Sequence, residues 1–245
     1  MGSRRVTGVS LAVIPARGGS KRVPRKNLRL ISERPLIAWA IDAAIESGQF
    51  SDIVVTTDDL EIASVARSCG ASVPFSRPME LADDFASTSS VVQHAVLEMQ
   101  GRGYRGSLAC CIYPASIFVT PQDYALSRSL LERSEQDFVS TVVRYSHPIQ
   151  RALALGESGE IRFVDPLGAE QRPQDFAPRW HDAGQFYWGR VSAWLAGLPI
   201  LENSIGYELP TSQVQDIDTE DDLLRAQRLH RELLAGSTDP QFGQP

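Results

Sequence analysis

A short loop near the start of the chain carries five basic residues. Residues 15–27, called the basic loop below, read Pro-Ala-Arg-Gly-Gly-Ser-Lys-Arg-Val-Pro-Arg-Lys-Asn and follow the apolar run Leu11–Ile14. The whole chain has a net charge of -6, so this local positive charge predicts an anion site. Arginine and lysine supply charged donors, and glycine, which lacks a Cβ, lets backbone N–H groups approach an anion. Residue types and spacing together predict a loop that binds a polyphosphate.

The basic loop differs from both common phosphate-binding motifs. It contains no G-x-x-x-x-G-K-[ST], and no G-x-G-x-x-G follows the strand. ATP hydrolysis of the P-loop kind and dinucleotide redox chemistry are therefore disfavoured. The alternative is a solvated basic turn, which would not require the glycine pair, two prolines and Asn27.

Two aspartates near the end of the chain, Asp216 and Asp218, flank an apolar Ile217. We expect them at the end of a strand, where alternation points both carboxylates to one side. Paired carboxylates repel each other unless a cation lies between them, and carboxylates combined with substrate phosphates are typical Mg²⁺ ligands. We assign Asp216 and Asp218 to Mg²⁺ or Mn²⁺ and residues 219–222 to a helix start, although capping and dipole preferences could explain the whole cluster.

The composition is typical of a globular protein, with 42% hydrophobic and 22% charged residues in 245. This length suits one sizeable α/β domain. The negative net charge argues against a nucleic-acid partner, and no apolar run approaches the roughly 20 residues that span a bilayer. Without a signal-peptide pattern, we expect a cytoplasmic protein. The spacing of Cys69, Cys110 and Cys111 predicts buried free thiols.

Apolar runs alternate with helical patterns, which predicts an α/β fold with a doubly wound, mainly parallel sheet. The predicted strands are Leu11–Ile14, Ile53–Thr57, Ser72–Phe75, Leu108–Tyr113 and Phe138–Val143. The predicted helices are Leu36–Ser47, Leu60–Ser68, Ser90–Met99 and Pro121–Glu132, the last with Thr120 as its N-cap. Ligands of such sheets lie beyond the carboxyl ends of the strands, where the basic loop begins.

The pattern changes after Tyr145. Residues 145–190 predict a small β-rich excursion, with strands at Ile149–Leu155, Glu160–Val164 and Gly184–Trp188, that covers a ligand or pairs with another subunit. Asp216–Leu234 predicts a strand end and an amphipathic helix. We expect a single domain over residues 1–235 and a flexible tail over residues 236–245.

The basic loop also resembles a known motif. Pro15-Ala16-Arg17-Gly18-Gly19-Ser20-Lys21, followed by Lys26-Asn27, is similar to the first motif of the CMP-sialic acid synthetases, cytidylyltransferases that activate acidic nine-carbon sugars. Gln215-Asp216-Ile217-Asp218-Thr219 is similar to their late metal-binding motif. The resemblance spans roughly Leu11 to Gln227 and implies a Rossmann-like nucleotidyltransferase. It implies catalytic roles for Arg17, Lys21, Lys26 and Asp218, nucleotide contacts from Gly18, Gly19, Ser20 and Asn27, and metal binding by Asp216 and Asp218.

A second motif resembles the base-recognition loop of the same family. Arg77-Pro78-Met79-Glu80-Leu81-Ala82-Asp83-Asp84 precedes Ala86-Ser87-Thr88 and a predicted helix. An arginine and a hydroxyl on such a loop suit the polar edge of cytosine. The resemblance implies cytidine contacts from Arg77, from the backbone of Ala86, from Thr88 and from Asn27 of the basic loop. A plain helix start is the alternative, with Thr88 serving as the N-cap.

A third segment distinguishes members of the family. His181-Asp182-Ala183-Gly184-Gln185-Phe186-Tyr187-Trp188 resembles the pseudaminic acid cytidylyltransferases, where sialic acid enzymes have Asn-Gly-x-x-Tyr. Tyr113 stands where the sialic acid enzymes have Gln. The resemblance implies sugar contacts from Tyr113, His181, Gln185 and Tyr187. His181 is equally compatible with a hydrogen-bonded strand histidine, and Phe186 and Trp188 favour core packing.

The resemblance implies that CTP and pseudaminic acid react to give CMP-pseudaminic acid and pyrophosphate. The anomeric hydroxyl would attack the α-phosphorus in line, a reaction that depends on positioning and charge neutralisation. N-acetylneuraminic, legionaminic and Kdo-like acids are alternative substrates. A non-catalytic nucleotide-sugar sensor is the alternative from another class, but its expected mark, the loss of an essential charge, is absent from these motifs. We also expect a homodimer.

Overall fold

The computed structural model describes residues 9–236, and a six-stranded sheet lies at its centre. The strands are β1 (Ser10–Pro15), β2 (Leu30–Ile31), β3 (Arg34–Pro35), β4 (Asp52–Thr56), β5 (Leu108–Ile112), β6 (Phe138–Arg144), β7 (Leu153–Leu155), β8 (Ile161–Phe163), β9 (Trp180–Arg190) and β10 (Ser204–Glu208). The helices are α1 (Leu36–Ser47), α2 (Leu60–Ser68), α3 (Thr88–Gly101), α4 (Pro121–Glu132), α5 (Leu167–Glu170), α6 (Val191–Leu195) and α7 (Glu220–Gly236). No helix within this range is long and apolar enough to cross a membrane.

The main sheet has the order β10-β6-β9-β5-β1-β4. β1 pairs in parallel with β4 and β5, and β10 pairs in parallel with β6, whereas β9 is antiparallel to both of its neighbours. Both faces of the sheet are covered: Ala12 and Ile14 pack into one core cluster, and Leu11 and Val13 into another. A strand that is buried on both faces has a continuous apolar sequence, as β1 does. Three of the five strand pairings are parallel, so the predicted mainly parallel α/β sheet is confirmed.

Two of the helices that flank the sheet, α2 and α4, begin at strong caps, whereas α1 begins after Pro35 without a side-chain cap. Asp59 caps α2 by accepting the backbone N–H groups of Glu61 and Ile62, and Thr120 forms a capping box with Asp123 at the start of α4. The predicted bounds of α1, α2 and α4 are confirmed. The third predicted helix is longer than expected and starts two residues earlier, at Thr88.

Ser72–Phe75 is not a strand, and that prediction was wrong. Ser72 forms a single bridge with Val54, and the pairing stops before Pro74, which has no N–H to donate. The region after Tyr145 also differs from the prediction. Residues 149–151 form a turn of 3₁₀ helix, and β7 and β8 form a separate hairpin.

The sheet incorporates part of the predicted excursion. Because β9 lies between β5 and β6, residues 180–190 belong to the main sheet, and the part outside it ends before Trp180. No strand forms at Gln215–Asp218, so the strand end expected there was wrong. Of the three free thiols, those of Cys110 and Cys111 are buried as predicted, and that of Cys69 is partly exposed. The predicted flexible tail lies outside the described residues from position 237 onward.

Candidate active site

Parallel pairing brings the carboxyl ends of β1, β4 and β5 to one edge of the sheet. The basic loop leaves β1 there, and the buried Val23 anchors its middle. Asn27, also buried, donates its side-chain N–H to the carbonyl oxygen of Arg17 at 3.0 Å and so closes the loop on itself. The backbone N–H of Gly18 donates to Asp58 at 2.9 Å. The loop is therefore held in shape from β4 and from within.

The two glycines of the loop differ in their surroundings. A Cβ on Gly18 would lie 2.9 Å from an oxygen of Asp59, whereas a Cβ on Gly19 would meet open space. Gly18 is thus needed for close packing against the start of α2, and its N–H is already bonded. Gly19 is free of such packing, whereas the backbone N–H of Ser20 donates to the Gly18 carbonyl oxygen at 3.0 Å.

Each of the predicted catalytic cations faces a carboxylate or a carbonyl oxygen. Arg17 and Lys21 both pair with Asp84, each at 2.6 Å. Lys26 donates to the carbonyl oxygen of Ile217 at 2.7 Å and lies 3.8 Å from Asp218. The cations of the loop are thus paired with oxygen atoms of segments that lie far away in the sequence. The spacing of the residues did not indicate these partners.

The basic loop forms one wall of a cavity of about 300 Å³. The opposite wall comes from the segment after β5, from the middle of β9 and from the segment before α7. The residues that line the cavity are Pro15, Arg17, Ser20, Lys21, Arg22, Val23, Lys26, Asn27, Tyr113, Pro114, Ala115, Gly184, Gln185, Asp216, Ile217 and Asp218. The cavity therefore brings together predicted phosphate-binding residues, both predicted metal ligands and two of the four predicted sugar contacts, Tyr113 and Gln185.

Asp216 and Asp218 both line this cavity, while Ile217 between them is fully buried against Leu36 and Leu223. The predicted alternation thus holds without a strand. Desolvation and, after it, the Asp218 carboxylate raise the pKa of Asp216, and a cation between the two would relieve this repulsion.

No group of three or more His, Cys, Asp or Glu side chains that could hold a metal ion occurs among residues 9–236. Asp216 and Asp218 on the cavity wall nevertheless fit Mg²⁺, which would replace Arg22 as the partner of Asp218 (2.7 Å) and whose remaining ligands would be phosphates and water. Asp222, in contrast, accepts the backbone N–H of Thr219 at 2.9 Å, as expected for a helix start.

The predicted base-recognition residues line a second, smaller cavity of about 200 Å³, which shares Pro15, Arg17 and Tyr113 with the first. Arg77 is buried beneath it and donates to the carbonyl and side-chain oxygens of Thr56. Burial lowers the pKa of Arg77 to about 10, so its guanidinium stays charged at neutral pH.

Ala86 and Thr88 lie on the rim of the second cavity. The Ala86 N–H donates to Asp83 at 2.7 Å, and the Thr88 hydroxyl contacts the Tyr113 hydroxyl at 2.6 Å. Ser87 caps α3 by accepting the Ser90 N–H, so Thr88 is not the N-cap. The Thr88 hydroxyl is instead hydrogen-bonded to the Tyr113 hydroxyl.

β9 carries an irregular segment beside the first cavity. Tyr187 pairs with Ser140 and Asp182 pairs with Val142, so residues 183–186 of β9 lie opposite the single Thr141. Gly184 adopts a left-handed conformation there, with φ of 59°. The buried Thr141 hydroxyl accepts the N–H groups of Gln185 and Phe186 at 3.3 Å each and donates to the Phe186 carbonyl at 3.1 Å. Bulges beside active sites commonly redirect side chains in this way.

Gln185 sits at this bulge and is 2% exposed. Its side-chain N–H donates to the Ala183 carbonyl at 2.8 Å, which identifies the other amide atom as the oxygen. That oxygen has no hydrogen-bond partner, although the residue lines the cavity. Buried polar atoms are rarely left unpaired, so this oxygen is a natural acceptor for a ligand.

The other predicted sugar contacts lie farther from the cavity. Tyr187 packs edge-on against Tyr113 with ring centroids 5.8 Å apart, and its hydroxyl donates to Asp182 at 2.6 Å. His181 is exposed, with its ring 4.7 Å from that of Tyr145. Neither Tyr187 nor His181 lines the first cavity. Phe186 and Trp188 are fully buried, as predicted for core residues.

The sequence interpretation missed three acids that organise this site. Asp58 accepts a hydrogen bond from Gly18 of the basic loop, Asp59 pairs with Arg25 at 3.4 Å, and Asp84 pairs with Arg17 and Lys21. Asp58 and Asp59 directly follow β4, and acids at the carboxyl end of a strand were a usable signal. Asp84 gave none, because only folding brings its turn to the basic loop.

Comparisons with known proteins agree with this geometry. A family model described as cytidylyltransferase matches residues 11–153. A pseudaminic acid cytidylyltransferase of Campylobacter jejuni is 37% identical over 91% of this chain and 96% of its own length. A CMP-N,N'-diacetyllegionaminic acid synthase of Legionella pneumophila is 53% identical over a shorter stretch, 36% of this chain and 37% of that protein. A solved CMP-2-keto-3-deoxy-manno-octonic acid synthetase in complex with CTP shares the fold, with a TM-score of 0.67 at 17% identity over 92% of this chain and 99% of that one.

Proposed function

Because this chain belongs to the cytidylyltransferase family, we propose that it transfers the cytidylyl group of CTP to pseudaminic acid. The anomeric oxygen bonds to the α-phosphorus, the bond from that phosphorus to the β-phosphate bridging oxygen breaks, and the hydroxyl proton leaves. The products are CMP-pseudaminic acid and pyrophosphate. The observation that carries this proposal is the cavity shared by the basic loop, the carboxylate pair, the segment after β5 and the middle of β9. Because CTP is an intracellular nucleotide, we propose the cytoplasm as the place of the reaction.

The basic loop is proposed to bind the triphosphate. Arg17, Lys21 and Lys26 surround the cavity and supply positive charge for the α-phosphate and the departing pyrophosphate. Asp216 and Asp218 are proposed to hold Mg²⁺ or Mn²⁺, which when bound neutralises phosphate charge and lowers the pKa of the attacking hydroxyl. The adjacent pair of carboxylates on the cavity wall supports this assignment.

The smaller cavity is proposed to bind cytosine. Arg77, the backbone of Ala86 and the hydroxyl of Thr88 line it, and Asn27 approaches from the other cavity. CTP should therefore be preferred over UTP, whose O4 accepts a hydrogen bond where the cytosine amino group donates one. A buried polar group left unpaired costs about 1–3 kcal/mol.

The sugar is proposed to lie against β5 and β9. Tyr113 supplies an aromatic wall and Gln185 a buried acceptor, while Tyr187 supports Tyr113 from behind and His181 reaches the sugar from the exposed end of β9. Pseudaminic acid lacks a hydroxyl at its tail and carries two acylamino groups. An aromatic wall favours such an apolar tail, whereas a hydroxylated tail would lose hydrogen bonds to water there.

We also propose that two copies of the chain form a homodimer through the β7–β8 hairpin. Large apolar side chains on this hairpin face solvent, with Leu155 74% and Ile161 66% exposed. A patch of this kind is a common feature of subunit interfaces. Sedimentation of the wild type should give a dimer, and Leu155→Glu combined with Ile161→Glu should give a folded monomer. A monomeric wild type would contradict the assignment.

The decisive experiment measures pyrophosphate release from CTP and Mg²⁺ with three sugar acids. These are pseudaminic, N,N'-diacetyllegionaminic and N-acetylneuraminic acid. We expect kcat/KM to be at least about tenfold higher for pseudaminic acid than for N-acetylneuraminic acid, which corresponds to about 1.4 kcal/mol. N,N'-diacetyllegionaminic acid also carries two acylamino groups, so the aromatic wall does not separate it from pseudaminic acid and the assay decides between the two. Tyr113→Gln should reduce that preference, while Tyr113→Phe, which keeps the ring, should retain most of it.

Two outcomes would overturn parts of the proposal. Faster turnover of N,N'-diacetyllegionaminic acid would favour the alternative substrate, to which the Legionella relative points. Absence of pyrophosphate release with all three acids, in a folded protein that binds CTP, would instead favour a nucleotide-sugar sensor.

A further inference from the structure

Asp84 makes a contact that the proposed reaction does not use. Its two carboxylate oxygens are divided between two cations: one pairs with Arg17 and the other with Lys21, each at 2.6 Å. These are the cations assigned above to the triphosphate. A carboxylate with two oxygens at hydrogen-bond distance presents the same acceptor chemistry as two oxygens of a phosphate group.

The charge of Asp84 is well maintained. Hydrogen bonds from Lys21 and Arg17 lower the pKa of its carboxyl below the ordinary value, so it is ionised at neutral pH. In the ligand-free chain these two cations are therefore partly neutralised by an anion belonging to the protein. A triphosphate, which carries several negative charges, has to compete with that anion.

Asp84 belongs to a turn, residues 82–87, that is otherwise lightly attached. Asp83 closes the turn on itself by accepting the N–H groups of Phe85 and Ala86 at 2.9 and 2.7 Å. The Phe85 side chain is 93% exposed. Ala86 on the same turn lines the smaller cavity. Release of Asp84 would thus alter the turn that borders the proposed base site.

We infer that Asp84 is a phosphate surrogate: it occupies Arg17 and Lys21 in the ligand-free chain and is displaced when a polyphosphate binds. The inference rests on the proposed assignment of these cations to the triphosphate. Displacement transfers the two cations to the nucleotide and frees residues 82–87 as the base enters beside them. Asp84 is accordingly a positioning residue that sets nucleotide affinity and takes no part in bond making.

Inorganic tripolyphosphate and CTP, titrated calorimetrically into the full chain without metal, provide the test. Asp84→Asn keeps the shape of the side chain and removes its charge, so both ligands should bind at least about threefold more tightly. In kinetics the KM for CTP should fall, with kcat within about twofold of the wild type.

Glu80→Gln is the matched control. It removes the same charge from the neighbouring turn, and Glu80 has no ion pair within residues 9–236. It should leave both affinities nearly unchanged. If both variants gained the same affinity, the gain would come from the change in overall charge. That result would refute a specific role of Asp84 as a phosphate surrogate. Weaker binding by Asp84→Asn would show that Asp84 prepares the cations for the ligand and would also refute it.

A tryptophan at the exposed position 85 reports on the turn. In Phe85→Trp, tripolyphosphate should change the tryptophan emission, and adding Asp84→Asn should abolish that change. Full binding without any emission change would refute release of the turn. If the wild type binds tripolyphosphate no better than Arg17→Ala does, the phosphate site of the proposed function fails; if it binds better but Asp84→Asn gains nothing, only the surrogate fails.

Discussion

Replacement of Thr141 by valine removes one hydroxyl that satisfies three backbone groups of the β9 bulge. Thr141 is fully buried, and its hydroxyl accepts from Gln185 and Phe186 and donates to Phe186. Valine has nearly the same shape, so the loss is confined to hydrogen bonding. A buried donor left unpaired costs about 1–3 kcal/mol. Because two donors are affected and both bonds are long, we expect the free energy of unfolding to fall by about 2–4 kcal/mol.

The same change should disturb the proposed sugar site more than the nucleotide site. Gln185 is held by this bulge, whereas the basic loop is held from β4 by Asp58. Urea unfolding gives the stability, and initial rates with each substrate varied give the two KM values. We expect the KM for the sugar to rise at least about fivefold and that for CTP to stay within about twofold. Thr141→Ser, which keeps the hydroxyl, is the control; a loss below about 1 kcal/mol in Thr141→Val with an unchanged sugar KM would refute the reasoning.

Three further predictions concern the metal, the sugar and pH. Asp218→Asn should lower turnover at least about a hundredfold, or about 2.7 kcal/mol, in the pyrophosphate assay, and full activity after EDTA treatment would contradict the metal assignment. Gln185→Met should raise the KM for the sugar about tenfold with the CTP KM unchanged, while Gln150→Met, which also removes a buried unpaired amide oxygen but outside the cavity, should change neither. His230 is 6% exposed and burial lowers its pKa below the ordinary 6.5. As the pH falls through that value the unfolded chain binds the proton first, so stability should be full above about pH 6.5 and decrease below it. Urea unfolding at about pH 7.5 and about pH 5.5 checks this, and His230→Gln should reduce the difference.

Local patterns were sufficient for most of the regular structure. β1 is a continuous apolar run, and Thr120 with Pro121 marks the start of α4, so neighbouring residues alone determine these elements. The predictions failed where one residue or one long-range pairing overrode the pattern. Pro74 ended the Ser72 bridge, and β9 was extended to Trp180 because β6 pairs with it as far as Arg144, whereas β5 pairs only with residues 186–190.

The motifs of the candidate site were also visible in the sequence. The basic loop, Arg77 with Thr88, and the Asp216–Asp218 pair carry their chemistry in adjacent residues, and the resemblance to a family supplied their order. The rule that ligands lie beyond the carboxyl ends of parallel strands gave the position of the basic loop. It did not give the positions of the other two motifs, because neither follows a strand in the structure. The roles of single residues were less accessible: the buried Asn27 amide, predicted to contact cytidine, donates to the Arg17 carbonyl within the loop.

The sequence by itself determined the α/β class, the strands and helices with strong local signals, and the family to which the chain belongs. Each of these depends on residue types within a few positions of one another. The tertiary structure alone decided the pairing of Asp84 with Arg17 and Lys21, the bulge at Thr141 and the unpaired oxygen of Gln185. These features arise between segments far apart in the chain, and their energies depend on burial and distance, which no local pattern records.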